Sequence, residues 1–298
     1  MNDVLARAED LHAGRTPFVL ATVVRAERPT SAKPGDRALI LPDGTMEGFV
    51  GGSCAESTVR VQGLRLLRTG ESTLLRITPT ATEETVSEGL VTVGNPCLSG
   101  GSLDIFLEAM LPPTLVYVIG EAPVARSLFD VGKALGHEVR RLAEGAEVAL
   151  PGDLTALIIA SHGRGEEAML TAALRAGVPY VGLVASRKRG SGVLASLDVT
   201  DEQRARVHTP AGLDIGARTA PEVALSVYTE LIAERRHHRL LTFDTRAPAI
   251  AEAPDPVCGM TVAVGESALS VRDGDEIRYF CGSGCLHAFA DNPDRYRE

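Results

Sequence analysis

The chain predicts an α/β protein in three parts: an N-terminal mixed α+β domain, a parallel-sheet domain, and a small C-terminal cysteine-rich metal-binding domain. Three observations carry this reading. Between residues 114 and 186, short continuously apolar runs alternate with helical segments, the pattern of a parallel sheet covered on both faces. Before the proline pair at 112–113, strands and a helix are instead mixed with hairpin signals. After residue 254, Cys258, Cys281 and Cys285 follow a C-x22-C-x3-C spacing.

Each element has its own warrant. MNDVLARAEDLHAGR places charges every few residues and reads as an amphipathic helix. PFVLATVV (17–24) and RALILPDG (37–44) are β-branched-rich runs bounded by Pro and Gly, hence strands. Asp43-Gly44 is a hairpin turn. Residues 53–70 place Val59, Leu64, Leu66 and Leu67 at helical spacing, with Gly70 as C-cap. STLLRITP (72–79) returns to strand, 80–89 is polar and loop-like, and SLDIFLEAM (102–110) is a further strand. Beyond the prolines, strands at 114–120, 137–142, 153–161 and 179–186 alternate with helices over 123–135 and 166–177. Residues 219–239 form a closing helix whose basic C-terminal end suits its dipole. The predicted domains are 1–111, 112–240 and 255–298, with 241–254 a Pro/Ala-rich linker.

Composition narrows the function. A length of 298 residues allows two or three domains, and 44% hydrophobic residues with 23% charged are ordinary for a soluble globular chain. A net charge of −9 argues against a general nucleic-acid binder, which needs a basic patch. No apolar run is long enough to span a membrane, and the first residues lack the apolar core of a secretory signal, so the expected compartment is the cytoplasm. There, five cysteines point to metal, cofactor or redox work rather than disulfides.

Candidate sites occur in all three parts. Gly51 and Gly52 precede Cys54 and Glu56 at a helix start, where the dipole favours the thiolate and the glycines leave room for a bulky ligand. Cys97 with Gly100 and Gly101 forms a second Gly-rich loop, and the loop 25–37, with Arg28, Lys33 and Arg37, offers cations for a phosphate or is a solvated turn. In the second domain Gly120 opens a strand-to-helix turn suited to an anion. The turn is a degenerate nucleotide fingerprint: Ala122 and Pro123 narrow the approach, Glu121 adds negative charge, and Arg140 and Arg141 stand where a ribose-binding acid belongs. That pattern favours a Rossmann-like domain kept for its shape or for another ligand. His162, just past a strand end, is a candidate proton shuttle or phosphate donor, or a helix cap together with Ser161. Ser186, Arg187, Lys188 and Arg189 follow the next strand and suit a phosphorylated ligand or a solvated surface. In the tail, Cys258, Cys281 and Cys285 are soft ligands for Zn or Cu(I). Asp255, His287, water or a partner molecule are candidates for the fourth position, which three-coordinate Cu(I) would not need.

Together these segments resemble the XdhC/CoxI family of molybdenum-cofactor maturation proteins over residues 15–235. The resemblance rests on ATVVRAERPTSAKPGDR, GFVGGSCAES, NPCLSGGSLDIFLEAM, SHGRGEEAML, YVGLVASRKR and above all GLDIGARTAPEVALSVYTELIAE (212–234). Residues 255–298 resemble a YHS domain, related to TRASH-type metal-binding modules. The resemblance implies a chaperone that binds the molybdenum cofactor (molybdopterin, in mononucleotide or cytosine dinucleotide form), shields it from oxidation and assists its sulfuration. It would then deliver the cofactor to a molybdenum hydroxylase apoenzyme of the xanthine dehydrogenase or CO dehydrogenase type. A cysteine desulfurase as sulfur source and a homodimeric assembly are further implications. Carried over residue by residue, Cys54 is the first contact for the cofactor and Cys97 the second; Ser53 replaces a glycine that the family commonly has. An anionic pterin suits helix N-termini and strand-end cations, and its dithiolene needs a water-poor cleft. Two other readings stay open at this point: an NAD(P)-dependent oxidoreductase, and a metal-responsive binding protein acting through its tail.

Overall fold

Alternating burial along the first long strand sets the architecture of the N-terminal half. Period-2 side chains put Val19, Ala21 and Val23 on one face, against a helix, while Phe18 and Leu20 face the other way and pack with Leu11. The computed structural model describes all residues except 1, 80–83, 96–100, 145–148, 162, 164, 238–250, 266–267, 275 and 297–298. In chain order, α1 (Asn2–Ala13) precedes β1 (Phe18–Glu27), β2 (Arg37–Ile40), β3 (Met46–Gly48), α2 (Ser53–Thr69) and β4 (Thr73–Thr78). Next come β5 (Thr85–Ser87), β6 (Leu90–Gly94) and β7 (Ser102–Met110). These strands form one sheet in the order β3-β2-β1-β7-β4-β6-β5. The segment 80–89 therefore contains a strand where polarity predicts a loop. Thr85, Val86 and Ser87 are all exposed, so this edge strand carries no burial pattern to read.

The second compact unit, Pro113–Phe243, follows the alternating pattern. It comprises β8 (Leu115–Ile119), α3 (Pro123–Ala134), β9 (Glu138–Leu142), β10 (Leu154–Ile159), α4 (Glu166–Arg175) and β11 (Tyr180–Leu183). After these come α5 (Arg187–Ser196), α6 (Asp201–Arg204), β12 (Val207–His208) and α7 (Ala220–His237). The sheet order is β12-β11-β10-β8-β9, every pairing is parallel, and β8 and β11 are buried throughout. Buried clusters lie on both faces, one with α4 and one with α3 and α7, as continuous apolar strands require. The strand order changes direction between β8 and β10, where open α/β sheets bind ligands beyond the carboxyl ends.

Gly120 sits at that point with φ +125°, and a Cβ there would lie 2.4 Å from the Ala160 carbonyl oxygen. The glycine is thus required for the strand ends to approach each other. Gly120→Ala is expected to cost about 3 kcal/mol from backbone strain and overpacking, measurable as a lower urea midpoint; an unchanged midpoint would remove this account.

The C-terminal segment belongs to the same compact unit as residues 1–112. It contains β13 (Glu252–Pro254), β14 (Thr261–Ala263), β15 (Leu269–Asp273), β16 (Glu276–Phe280), α8 (Ser283–Asp291) and a 3₁₀ turn at Pro293–Arg295. Residues 252–254, predicted as the end of a linker, are instead a strand paired with β14; residues 241–250 lie outside the described set. Proline and alanine at these positions hid the strand because its partner lies several residues further on. Ala263 is buried within the N-terminal core, and α2 packs against β14. Among the described residues, no helix is long and apolar enough to cross a membrane.

Candidate functional site

The cysteine cluster begins with a turn held by one carboxylate. Asp255 is buried, and its Oδ1 accepts from the Val257 amide at 2.8 Å and the Cys258 amide at 3.4 Å. Its Oδ2 accepts from the Cys281 amide at 2.8 Å, so one side chain ties the C-G-M turn to the end of β16. Cys285 lies one helical turn beyond Cys281, in the first turn of α8. The sulfurs consequently converge: Cys258 and Cys281 are 3.6 Å apart, and Cys281 and Cys285 3.7 Å apart. All four cysteines among the described residues are free thiols. Tetrahedral Zn with Zn–S near 2.3 Å places its sulfurs about 3.8 Å apart. The donor set therefore fits a soft metal ion. His287, a sequence candidate for the fourth position, is exposed and stands outside the group of metal-capable side chains, because it falls on the solvent side of α8.

The protons in this cluster are unequal. Cys258 is held below the ordinary thiol range by the hydrogen bond from Cys281, which outweighs burial. Cys281 is driven far up by hydrogen bonding to Cys258 and Cys54 and by burial. Cys285 is pushed up to about 12 by burial and then by the charges of Cys258 and Asp255. One negative sulfur is comfortable here, and a second needs a cation.

Cys54 meets this cluster. It is the second residue of α2, half-buried, and packs with Cys258, Tyr279 and Cys285 around Met260, Val262 and Cys281. The backbone contact is close: a Cβ on Gly282 would fall 2.5 Å from Ser53 Oγ and 3.9 Å from Cys54 Sγ. Farther along α2, Arg65 binds Glu252 through two hydrogen bonds, at 3.0 and 2.7 Å, and also binds Glu84. Sequence periodicity assigned α2 one apolar face. The signal missed was its buried polar set, Ser57, Thr58 and Gln62, which marks a helix enclosed on more than one side.

The other predicted residues lie as follows. Gly51, buried at φ +145°, lies against Ala55 and Leu103, while Gly52 is exposed with open space beside it. Glu56 is half-buried in the first turn of α2. Gly101 is dictated by packing, since a Cβ would fall 2.2 Å from the Pro29 carbonyl oxygen. Arg28 and Lys33 are exposed. Cys97, Gly100 and His162 lie outside the described residues.

In the parallel-sheet unit the basic cluster divides. Ser186 caps α5, accepting from the Arg189 amide. Lys188 is exposed and lines an open depression of about 580 Å³ with Ser186 and Glu167. Arg189, predicted for an anionic ligand, instead turns inward to buried Glu166, with contacts of 2.8 and 2.6 Å, and to the Val184 carbonyl at 2.9 Å. Burial works to raise the Glu166 carboxyl, but hydrogen bonds from Arg189, Ser161 and Gly163 outweigh it and hold it low. A lowered folded-state pKa contributes stability above the unfolded carboxylate pKa, and this is lost as pH falls through the folded value. Glu166→Gln is expected to destabilise this unit by about 2 kcal/mol at neutral pH and to flatten the acid limb of its stability curve; an unaltered acid limb would contradict the pairing.

A second hollow of about 660 Å³ lies at the ends of β11 and β12, lined by Ser186, Arg187, Gly212, Asp214 and Ser226 among others. Its floor is the GLDIG loop. Glu230 holds that loop, accepting from the Gly212 amide at 2.9 Å and from the Tyr180 hydroxyl at 2.6 Å.

Comparison with known proteins agrees with this two-part body. A model described as the XdhC and CoxI family matches residues 11–78, and one described as the XdhC Rossmann domain matches 116–231. The uncharacterized protein YqeB of Escherichia coli (strain K12) is 26% identical over 258 residues. That alignment covers 77% of this chain but only 46% of YqeB, so the chain spans about half of that relative's length. A crystal structure described as a xanthine dehydrogenase from Bacillus halodurans aligns with a TM-score of 0.39 and 15% identity, covering 80% of this chain and 98% of that one. Residues 11–78 are thus similar to the XdhC and CoxI family, and residues 116–231 to the XdhC Rossmann domain.

Proposed function

We propose that this protein is a molybdenum-cofactor-binding maturation chaperone. It holds the cofactor, protects it from oxidation, assists its sulfuration and delivers it to a molybdenum hydroxylase of the xanthine dehydrogenase or CO dehydrogenase type. Similarity to the family supports a maturation role for such enzymes. The single observation that carries the finer reading is Cys54: a half-buried thiol in the first turn of a 17-residue helix, behind exposed Gly52. In that position the helix dipole favours a thiolate, and the free amides favour an anion. When bound, the cofactor would supply the molybdenum and its transferable sulfido ligand; Cys54, Glu56 and the glycines would hold it. Cys97 is part of the proposal as a second contact, and a cysteine desulfurase and a homodimeric assembly complete it. Residues 255–298, as a YHS module, would bind Zn or Cu(I) through Cys258, Cys281 and Cys285.

The test is mass spectrometry of the small molecule retained by the full chain purified from a host that makes molybdopterin. A pterin carrying molybdenum is expected, and transfer to a hydroxylase apoenzyme should restore that enzyme's activity. A chain that retains no pterin and activates no client would overturn the proposal. Gly120 is explained by strand packing and Arg140 pairs with Glu138, so neither favours a nicotinamide cofactor.

A further inference from the structure

We infer that Cys54 is the fourth ligand of a tetrahedral Zn(II) site whose other three thiolates are Cys258, Cys281 and Cys285. The ion would join helix α2 of the N-terminal half to the C-terminal segment. The inference stands on the cluster's geometry and does not depend on the cofactor reading.

Three sulfurs are already spaced as a tetrahedral ion requires, at 3.6 and 3.7 Å. The fourth position has few claimants. Asp255 has one carboxylate oxygen within 4.8 Å of the three sulfurs, but both its oxygens accept backbone hydrogen bonds that shape the turn. Ligation through either oxygen would compete with the amide hydrogen bonds it already accepts. His287 is exposed. Cys54 is the remaining thiol packed at the cluster, and its Sγ would lie 3.9 Å from a Cβ on Gly282, the residue after Cys281. It stands at the edge of the tight group rather than within it. A single χ1 step moves a thiol sulfur by about 3 Å, and this is the adjustment that ligation by Cys54 would require.

The surroundings suit such a centre. The first turns of α2 and α8 both carry ligands, so two helix N-termini adjoin the cluster. Four thiolates around a divalent cation carry two net negative charges, which positive dipole ends stabilise. The close approach of Gly282 to Ser53 and the Arg65–Glu252 pair bring the C-terminal segment alongside α2. One sulfur cannot serve both ions, so the zinc-free chain offers Cys54 to the cofactor and zinc withdraws it.

The test uses the reduced full chain under anaerobic conditions, with and without one equivalent of Zn(II), alkylated and mapped by peptide mass. Zinc is expected to slow alkylation of Cys54, Cys258, Cys281 and Cys285 together by at least about tenfold, since bound thiolates are withdrawn from reaction. The metal-free chain serves as the reference, and a chelator should reverse the protection. Protection of the three C-terminal thiols with Cys54 reacting at its metal-free rate would overturn the inference, as would protection of none. In addition, Cys54→Ser should weaken zinc binding on the order of 100-fold, and Cys54→His should recover most of that loss. An unchanged affinity in Cys54→Ser would sink the assignment even if the mapping were ambiguous. None of these readouts involves a pterin, so failure here leaves the cofactor proposal to its own test.

Discussion

Cys54→Ser is expected to lower retention of the molybdenum cofactor at least about tenfold, equivalent to about 1.4 kcal/mol, with a parallel fall in client activation. Serine keeps the size and the hydrogen bond but does not ionise near neutral pH, so it offers the molybdenum no anionic sulfur. The substitution should be tolerated by the fold, because Cys54 is half-buried and serine is close to it in size. The informative control is Cys285→Ser. That thiol lies in the same cluster but on α8, remote in sequence from the family's glycine-cysteine motif. Cofactor retention that falls in Cys54→Ser and persists in Cys285→Ser places the contact at residue 54. An equal fall in both would show that the metal-binding segment, and not the thiol itself, is what retention needs.

Loading the protein with Zn(II) and then removing it is expected to have the largest effect on stability. The C-terminal segment contains two separate two-stranded ribbons and one nine-residue helix. Ribbons of that size are marginal alone. Its buried apolar side chains are few, chiefly Met260, Val262, Phe280 and Phe289. A structural zinc site contributes on the order of 10 kcal/mol, more than such a core supplies. Chelation should therefore expose the C-terminal segment to limited proteolysis while the parallel-sheet unit stays resistant. Zinc affinity should also fall as pH is lowered. The ion must displace thiol protons, and the Cys285 proton is held up to about 12 by burial and by its charged neighbours. Identical digestion patterns with and without metal would show that the segment is held by its contacts to α2 alone.

Local chemistry explains which features were legible in the sequence. The parallel sheet was readable because buried parallel strands are continuously apolar, as in β8, β10 and β11, and because helices of regular length separate them. Helix α2 was readable from its periodicity and its Gly70 C-cap, which takes φ +73°. The trio Cys258, Cys281 and Cys285 was readable because four-residue spacing brings two thiols to one side of a helical turn. The edge strand at 85–87 was not, since an exposed strand has no hydrophobic pattern to report. Nor was the inward role of Arg189, because an arginine at a strand end looks the same whether it meets a ligand or a buried carboxylate.

By itself, then, the sequence determined the order of the elements, the parallel character of the second half and the family that both halves resemble. It also determined which residues are chemically able to bind a soft metal. Only the tertiary structure decided that Cys54, more than two hundred residues away along the chain, lies against the other three thiols. The same holds for Gly120 and Gly101, whose neighbours exclude a side chain, and for Arg189, which is committed to Glu166. The reason is physical: period and spacing act within a few residues, whereas the packing of α2 against β14 joins chain segments whose relation no local pattern encodes.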